Sequence, residues 1–140
     1  MIGLLAFTAV FAAALVYFQY FAFYDRQSGG DRLEIAGQSF DVSGLDRIDA
    51  SSSPLKLRAC FIADPEAFSG LALEPRATPL NPPPWFGCFD AGALTADLAS
   101  GDAEARLIAT DSPTGFDVVA AIYPDGRGYV WRQLGAAFSD

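Results

Sequence analysis

The sequence predicts an α+β protein: a single N-terminal transmembrane helix, then one small domain with a mainly antiparallel sheet and one or two short helices. Three observations predict it. The first 24 residues, MIGLLAFTAVFAAALVYFQYFAFY, carry no charged side chain, and every Asp, Glu, Lys and Arg follows Tyr24. The remainder breaks into short apolar or alternating segments separated by Gly and Pro, the pattern of strands and hairpins. Asp64 and Asp90 each stand where a helix start is expected, before short stretches that Gly or Pro soon ends.

The chain of 140 residues divides accordingly. Residues 1–24 are expected to be the anchor helix, since about 20 apolar residues at 1.5 Å each cross a hydrocarbon core of about 30 Å. The run ends in Tyr17, Phe18, Tyr20, Phe21, Phe23 and Tyr24. Such aromatics suit a membrane–water interface and not a signal-peptide cleavage site, so the anchor is expected to be uncleaved. Residues 25–32, DRQSGGDR, read as a polar linker, and residues 33–140 as an extracytoplasmic domain.

Within the domain, Leu33–Val42 reads as a hairpin with Gly37-Gln38 as its turn. Residues 43–54 read as loop. Leu55–Ile62 reads as a strand with Leu55, Leu57, Ala59 and Phe61 on one face, and Lys56, Arg58, Cys60 and Ile62 on a solvated one. Asp64, Pro65 and Glu66 start a short helix. Residues 74–87 hold five prolines and predict a stiff, polyproline-prone segment. Asp90 caps a helix over Ala91–Ser100, which Gly101 ends. Ala105–Thr110, Phe116–Tyr123 and Tyr129–Leu134 read as strands, the last two joined by the turn Pro124-Asp125-Gly126-Arg127-Gly128.

Composition excludes several functions. Nine basic and 17 acidic residues give a net charge of −8, and there is no histidine. An acidic chain lacks the Lys and Arg clusters that phosphates need, so no nucleic-acid partner is expected. Without histidine the chain supplies no Ser-His-Asp triad, no Cys-His dyad and no histidine metal ligand. No catalytic set, cofactor site or metal site is expected, and the chain reads as a non-enzyme.

The candidate residues are few. Cys60 and Cys88 fit neither a Cys-x-x-Cys motif nor a zinc ribbon. Three readings stay open: a disulfide tying the proline-rich segment to the sheet, two buried thiols, or a reactive Cys88 thiolate beside a helix N-terminus. The disulfide is preferred on compartment grounds. Trp85 and Phe86, behind three prolines, are candidate partner contacts, with core burial the preferred reading because aromatics usually bury. Lys56 and Arg58, with Ser51–Ser53 upstream, make a candidate anion patch or else a solvated face. The acid pairs Asp46/Asp49 and Asp102/Glu104 lack a calcium-loop pattern and read as surface charge. Gln19 is a candidate for hydrogen bonding a neighbouring membrane helix.

The blocks SSPLKLRACF (52–61), NPPPWFGCFDAGAL (81–94) and AIYPDGRGYVWRQL (121–134) resemble an uncharacterised family of small membrane-anchored alphaproteobacterial proteins. That resemblance implies a bacterial inner-membrane protein and assigns no activity. The expected function is a single-pass accessory or assembly subunit of a larger inner-membrane complex, its partners the lipid bilayer and an integral membrane protein, its domain periplasmic. The alternatives are a membrane-tethered thiol–disulfide protein using Cys88 and an anion- or ligand-binding sensor.

Overall fold

The computed structural model describes residues 2–20, 25–50 and 53–135, and within the first helix the side chains of residues 3–15. Helix α1 covers Ile2–Tyr20. Among the described residues no helix is long and apolar enough to cross a membrane, which corrects the expected span over residues 1–24. A span needs about 20 predominantly apolar residues. Helix α1 has 19, with Gln19 near its end, and residues 21–24 lie outside the described residues.

The domain is built on one sheet. Its strands are β1 (Asp25–Ser28), β4 (Ser43–Asp49), β5 (Arg58–Ile62), β6 (Ala72–Leu73), β7 (Glu104–Ala109), β8 (Phe116–Ile122) and β9 (Arg127–Leu134), in the spatial order β1-β4-β5-β9-β8-β7-β6. Every neighbouring pair is antiparallel. A separate hairpin, β2 (Arg32–Ile35) with β3 (Gln38–Asp41), lies on one face. It buries Leu33, Ile35 and Phe40 against Leu45, Ala59, Phe61, Val118 and Val130 of the sheet. Helix α2 (Ala91–Ser100) and the proline-rich segment cover the other face, where Phe86, Phe89 and Leu94 meet Ile48, Cys60, Val119 and Trp131. The fold is therefore three layers, with apolar side chains on both faces of its central strands.

This two-sided burial accounts for most of the corrections. Residues 43–54 are not a loop throughout, because β4 occupies Ser43–Asp49 between β1 and β5. Its two large apolar residues, Leu45 and Ile48, serve opposite faces. A strand that gives one such residue to each face shows no period-two stripe, and an irregular register between Ser43 and Asp46 blurs it further. The expected linker over residues 25–32 begins as β1, paired from Asp25↔Asp49 to Ser28↔Asp46. Strand β5 starts at Arg58, three residues later than expected, because Pro54–Lys56 forms a 3-10 turn capped by the Ser53 hydroxyl. Arg58 and Cys60 are buried, not solvated, because the second face is covered.

The remaining elements follow local chemistry. The β2–β3 turn is Ala36-Gly37, one residue earlier than expected, and both residues have positive φ (51° and 78°). That is the signature of the hairpin turn whose twist matches the strands. Asp64 caps a 3-10 turn over Pro65–Phe68, as short as expected. Asp90 caps α2 by accepting from the Ala93 amide at 3.0 Å, and Gly101 ends it at φ 86°. Where β5 crosses β9, Phe61 packs on Gly128, and a Cβ there would lie 2.2 Å from Phe61 Cε2.

Candidate functional site

Residues 74–90 form no strand and no α-helix, and prolines cannot donate backbone hydrogen bonds. The segment nevertheless lies on the sheet, so its buried carbonyls and amides need partners from elsewhere. Two buried polar side chains supply them. Gln133, 6% exposed, accepts from the Thr78 amide at 2.7 Å and from Trp131 Nε1 at 2.9 Å, and donates to the Arg76 carbonyl at 3.0 Å. Arg58, 4% exposed, donates from Nε to the Leu80 carbonyl at 2.6 Å and from Nη2 to the Asn81 carbonyl at 3.4 Å. Its Nη1 donates to the carbonyls of Leu55 and Leu57. A guanidinium presents five donors in a fixed planar fork, which is why one residue can bind carbonyls of two segments at once.

The third tie is covalent. Cys60 and Cys88 form a disulfide, with Cα atoms 6.4 Å apart. Cys60 is buried in β5, and Cys88 stands two residues before the α2 cap. Phe86 (1% exposed) and Phe89 (4%) fill the space beneath, with Phe89 edge-on to Trp131 at 6.1 Å between ring centroids.

Trp85 is half-buried and edge-on to Phe86. The Arg26 guanidinium of β1 lies over both rings, 5.5 Å from Trp85 and 5.8 Å from Phe86. Two hydrogen bonds to Asp46, at 3.1 and 2.9 Å, hold Arg26 in place and push its pKa further up. Arg26 is the second residue of β1, and the 3-10 turn Pro54–Lys56 is tied to Leu80 and Asn81 through Arg58. Trp85 thus sits against the guanidinium of β1, beside Asp46 of β4.

Cys60 and Cys88 are joined. Phe86 is core rather than a contact surface, because its ring fills the layer between the segment and Ile48 and Trp131. Trp85 stays partly exposed at the rim. Lys56 and Arg58 do not form a common patch: Arg58 turns inward to the carbonyls, while Lys56 is half-buried on the 3-10 turn. Ser51 and Ser52 lie outside the described residues, as does the side chain of Gln19. The expected acid pairs are ion-paired or hydrogen-bonded locally. Asp46 holds Arg26, Asp49 faces Arg132 at 3.4 Å and Arg47 at 4.0 Å, Asp102 accepts from Ser100, and Glu104 binds Arg106 at 2.8 Å.

Glu66, Asp102, Glu104, Arg106 and Tyr123 line a cleft of about 420 Å³. The Tyr123 hydroxyl donates to Asp97 of α2 at 2.5 Å, and burial, then that bond, pushes the phenol pKa up.

Two residues of the rim, Gln133 and Arg26, were not expected. Gln133 could have been found: it shares a strand face with Tyr129 and Trp131, so a lone amide there needs buried partners. Arg26 could not, because β1 itself was read as linker.

A family model described as "Family of unknown function (DUF6446)" matches residues 29–139. No curated protein and no solved structure matches the chain.

Proposed function

The chain belongs to the family of unknown function (DUF6446), and we propose for it a non-enzymatic role as an accessory or assembly subunit at a bacterial inner membrane. One observation carries the reading. Every described side chain from Gly3 to Leu15 is exposed except Ala14, which is half-buried. Leu4, Leu5, Phe7, Val10 and Phe11 are each more than half exposed, from 57% to 71%. A helix apolar on every side is stable where lipid or a larger assembly surrounds it, not in water. The proposed surroundings of α1 are lipid and an integral membrane partner. The Cys60–Cys88 bond supports placing the domain on the oxidising, periplasmic side.

Neither alternative gains support. A thiol protein needs a reactive sulfur, and here Cys88 is bonded to a buried Cys60. An anion sensor needs a cation facing solvent, and the Arg58 guanidinium is occupied by carbonyls. The test is crosslinking in native membranes followed by identification of what is joined to α1. The reading expects one integral membrane protein to be recovered, and the yield to fall when residues 2–20 are replaced by a polar sequence. Recovery of the full chain in the soluble fraction, alone, would overturn it.

A further inference from the structure

The disulfide joins two sulfurs in different settings. Cys60 is the third residue of β5 and is 7% exposed. It packs with Ile48, Phe86, Phe89 and Trp131, and stands between Asp46 of β4 and Tyr129 of β9 in the sheet. Cys88 is exposed, in the stretch between Phe86 and the Asp90 cap. Gly87 beside it is exposed as well, and a Cβ there would meet nothing within 4 Å. The bond therefore runs from a closed interior to an open surface.

Disulfides exchange by attack of a thiolate on one of the two sulfurs, and access helps decide which. A thiolate arriving from solvent meets Cys88, whereas Cys60 lies within the layer that Phe86 and Phe89 fill. Exposed disulfides are also more readily reduced than buried structural ones. The other ties of this layer are made elsewhere. Gln133 binds Arg76 and Thr78, Arg58 binds Leu80 and Asn81, and Asp90 caps α2. Exchange at Cys88 thus opens one tie and leaves the hydrogen-bonded ones in place.

We propose that Cys60–Cys88 is a site of thiol–disulfide exchange, at which a thiolate of a dithiol reductant attacks Cys88 and Cys60 is the leaving group. A bond forms between the reductant's sulfur and Cys88 Sγ as the bond between the two Sγ atoms breaks. The electron pair of the broken bond goes to Cys60, which takes a proton from water. The second thiolate of the reductant then attacks its partner sulfur in the mixed disulfide, and Cys88 leaves and takes a proton in turn. Two electrons pass in all, so the reductant ends as a disulfide and the chain as two thiols. In this exchange the chain supplies the disulfide and not the attacking thiol, and the site requires neither α1 nor a membrane.

The experiment uses the full chain in detergent, folded and in urea. Reduced glutathione is added, exchange is stopped early with acid, and the glutathione adduct is located by peptide mass mapping. In the folded chain the adduct is expected on Cys88 over Cys60 by at least about tenfold, and in urea on both alike. A folded chain that carries the adduct on Cys60, or equally on both, overturns the proposal. The rate of reduction by dithiothreitol gives a second measurement. A bond opened only by unfolding would be slowed by about a thousandfold or more relative to urea, the inverse of the unfolded fraction. The folded chain is expected to be reduced less than about a hundredfold more slowly than in urea, and any greater slowing overturns the proposal.

Discussion

Arg58 shows how burial redefines a residue. On the strand pattern alone it belongs to a solvated face, where a cation would wait for an anion. Once the proline-rich segment covers that face, the same guanidinium becomes the hydrogen-bond partner of the Leu55, Leu57 and Leu80 carbonyls. Arg58→Met would leave those carbonyls unsatisfied, at a cost of about 2–4 kcal/mol, read as a fall in the urea midpoint. Arg58→Lys is expected to recover little of it, since an ammonium has no planar fork. Gly128 is a second residue set by its neighbour. Gly128→Ala forces Phe61 aside and is expected to cost about 1–3 kcal/mol. Combining it with Phe61→Leu should recover part of that loss in thermal melts.

Among the elements, helix α2 and the β2–β3 hairpin depend on single positions. Asp90→Ala removes the side-chain acceptor for the Ala93 amide and is expected to destabilise by about 1 kcal/mol in thermal unfolding. Ala36 holds φ 51°, a conformation that suits glycine better than an L side chain. Ala36→Gly is therefore expected to raise the melting temperature, against the usual direction of a glycine substitution. Helix α2 is also joined to β8 by the bond from Tyr123 to Asp97. The folded state raises the phenol pKa above its unfolded value near ~10. The stability this contributes is thus fully present below pH ~10 and is lost as pH rises through the folded pKa. Tyr123→Phe is expected to flatten the alkaline limb of the stability–pH curve, and an unchanged limb would assign it to other groups.

For the whole molecule, the proline-rich segment is the third layer of the fold, fixed to the sheet by a covalent bond, an arginine and a glutamine. Reducing Cys60–Cys88 releases a constraint on the unfolded chain worth about 3–4 kcal/mol by loop entropy, measured as the drop in unfolding free energy in reductant.

Local chemistry in the sequence determined α2 and both of its caps, the turn between β8 and β9, the short turn after Asp64, and the lack of α-helix in residues 74–87. Those features depend on residues within a few positions of one another, where capping and proline sterics act. The disulfide was also legible as the preferred of three readings, on compartment grounds, and the structure joins Cys60 and Cys88. Only the tertiary structure decided that the sheet is covered on both faces. That fact hid β4 within an expected loop and moved Arg58 from surface to core, whereas β1, exposed along its whole length, is a strand only through its pairing with β4. Burial on two faces removes the polar–apolar alternation by which a strand announces itself, so β4 could be recognised only beside β1 and β5. Trp85 meets Arg26 for a similar reason: the two are distant in sequence and come together only because β1 pairs with β4 beneath the proline-rich layer.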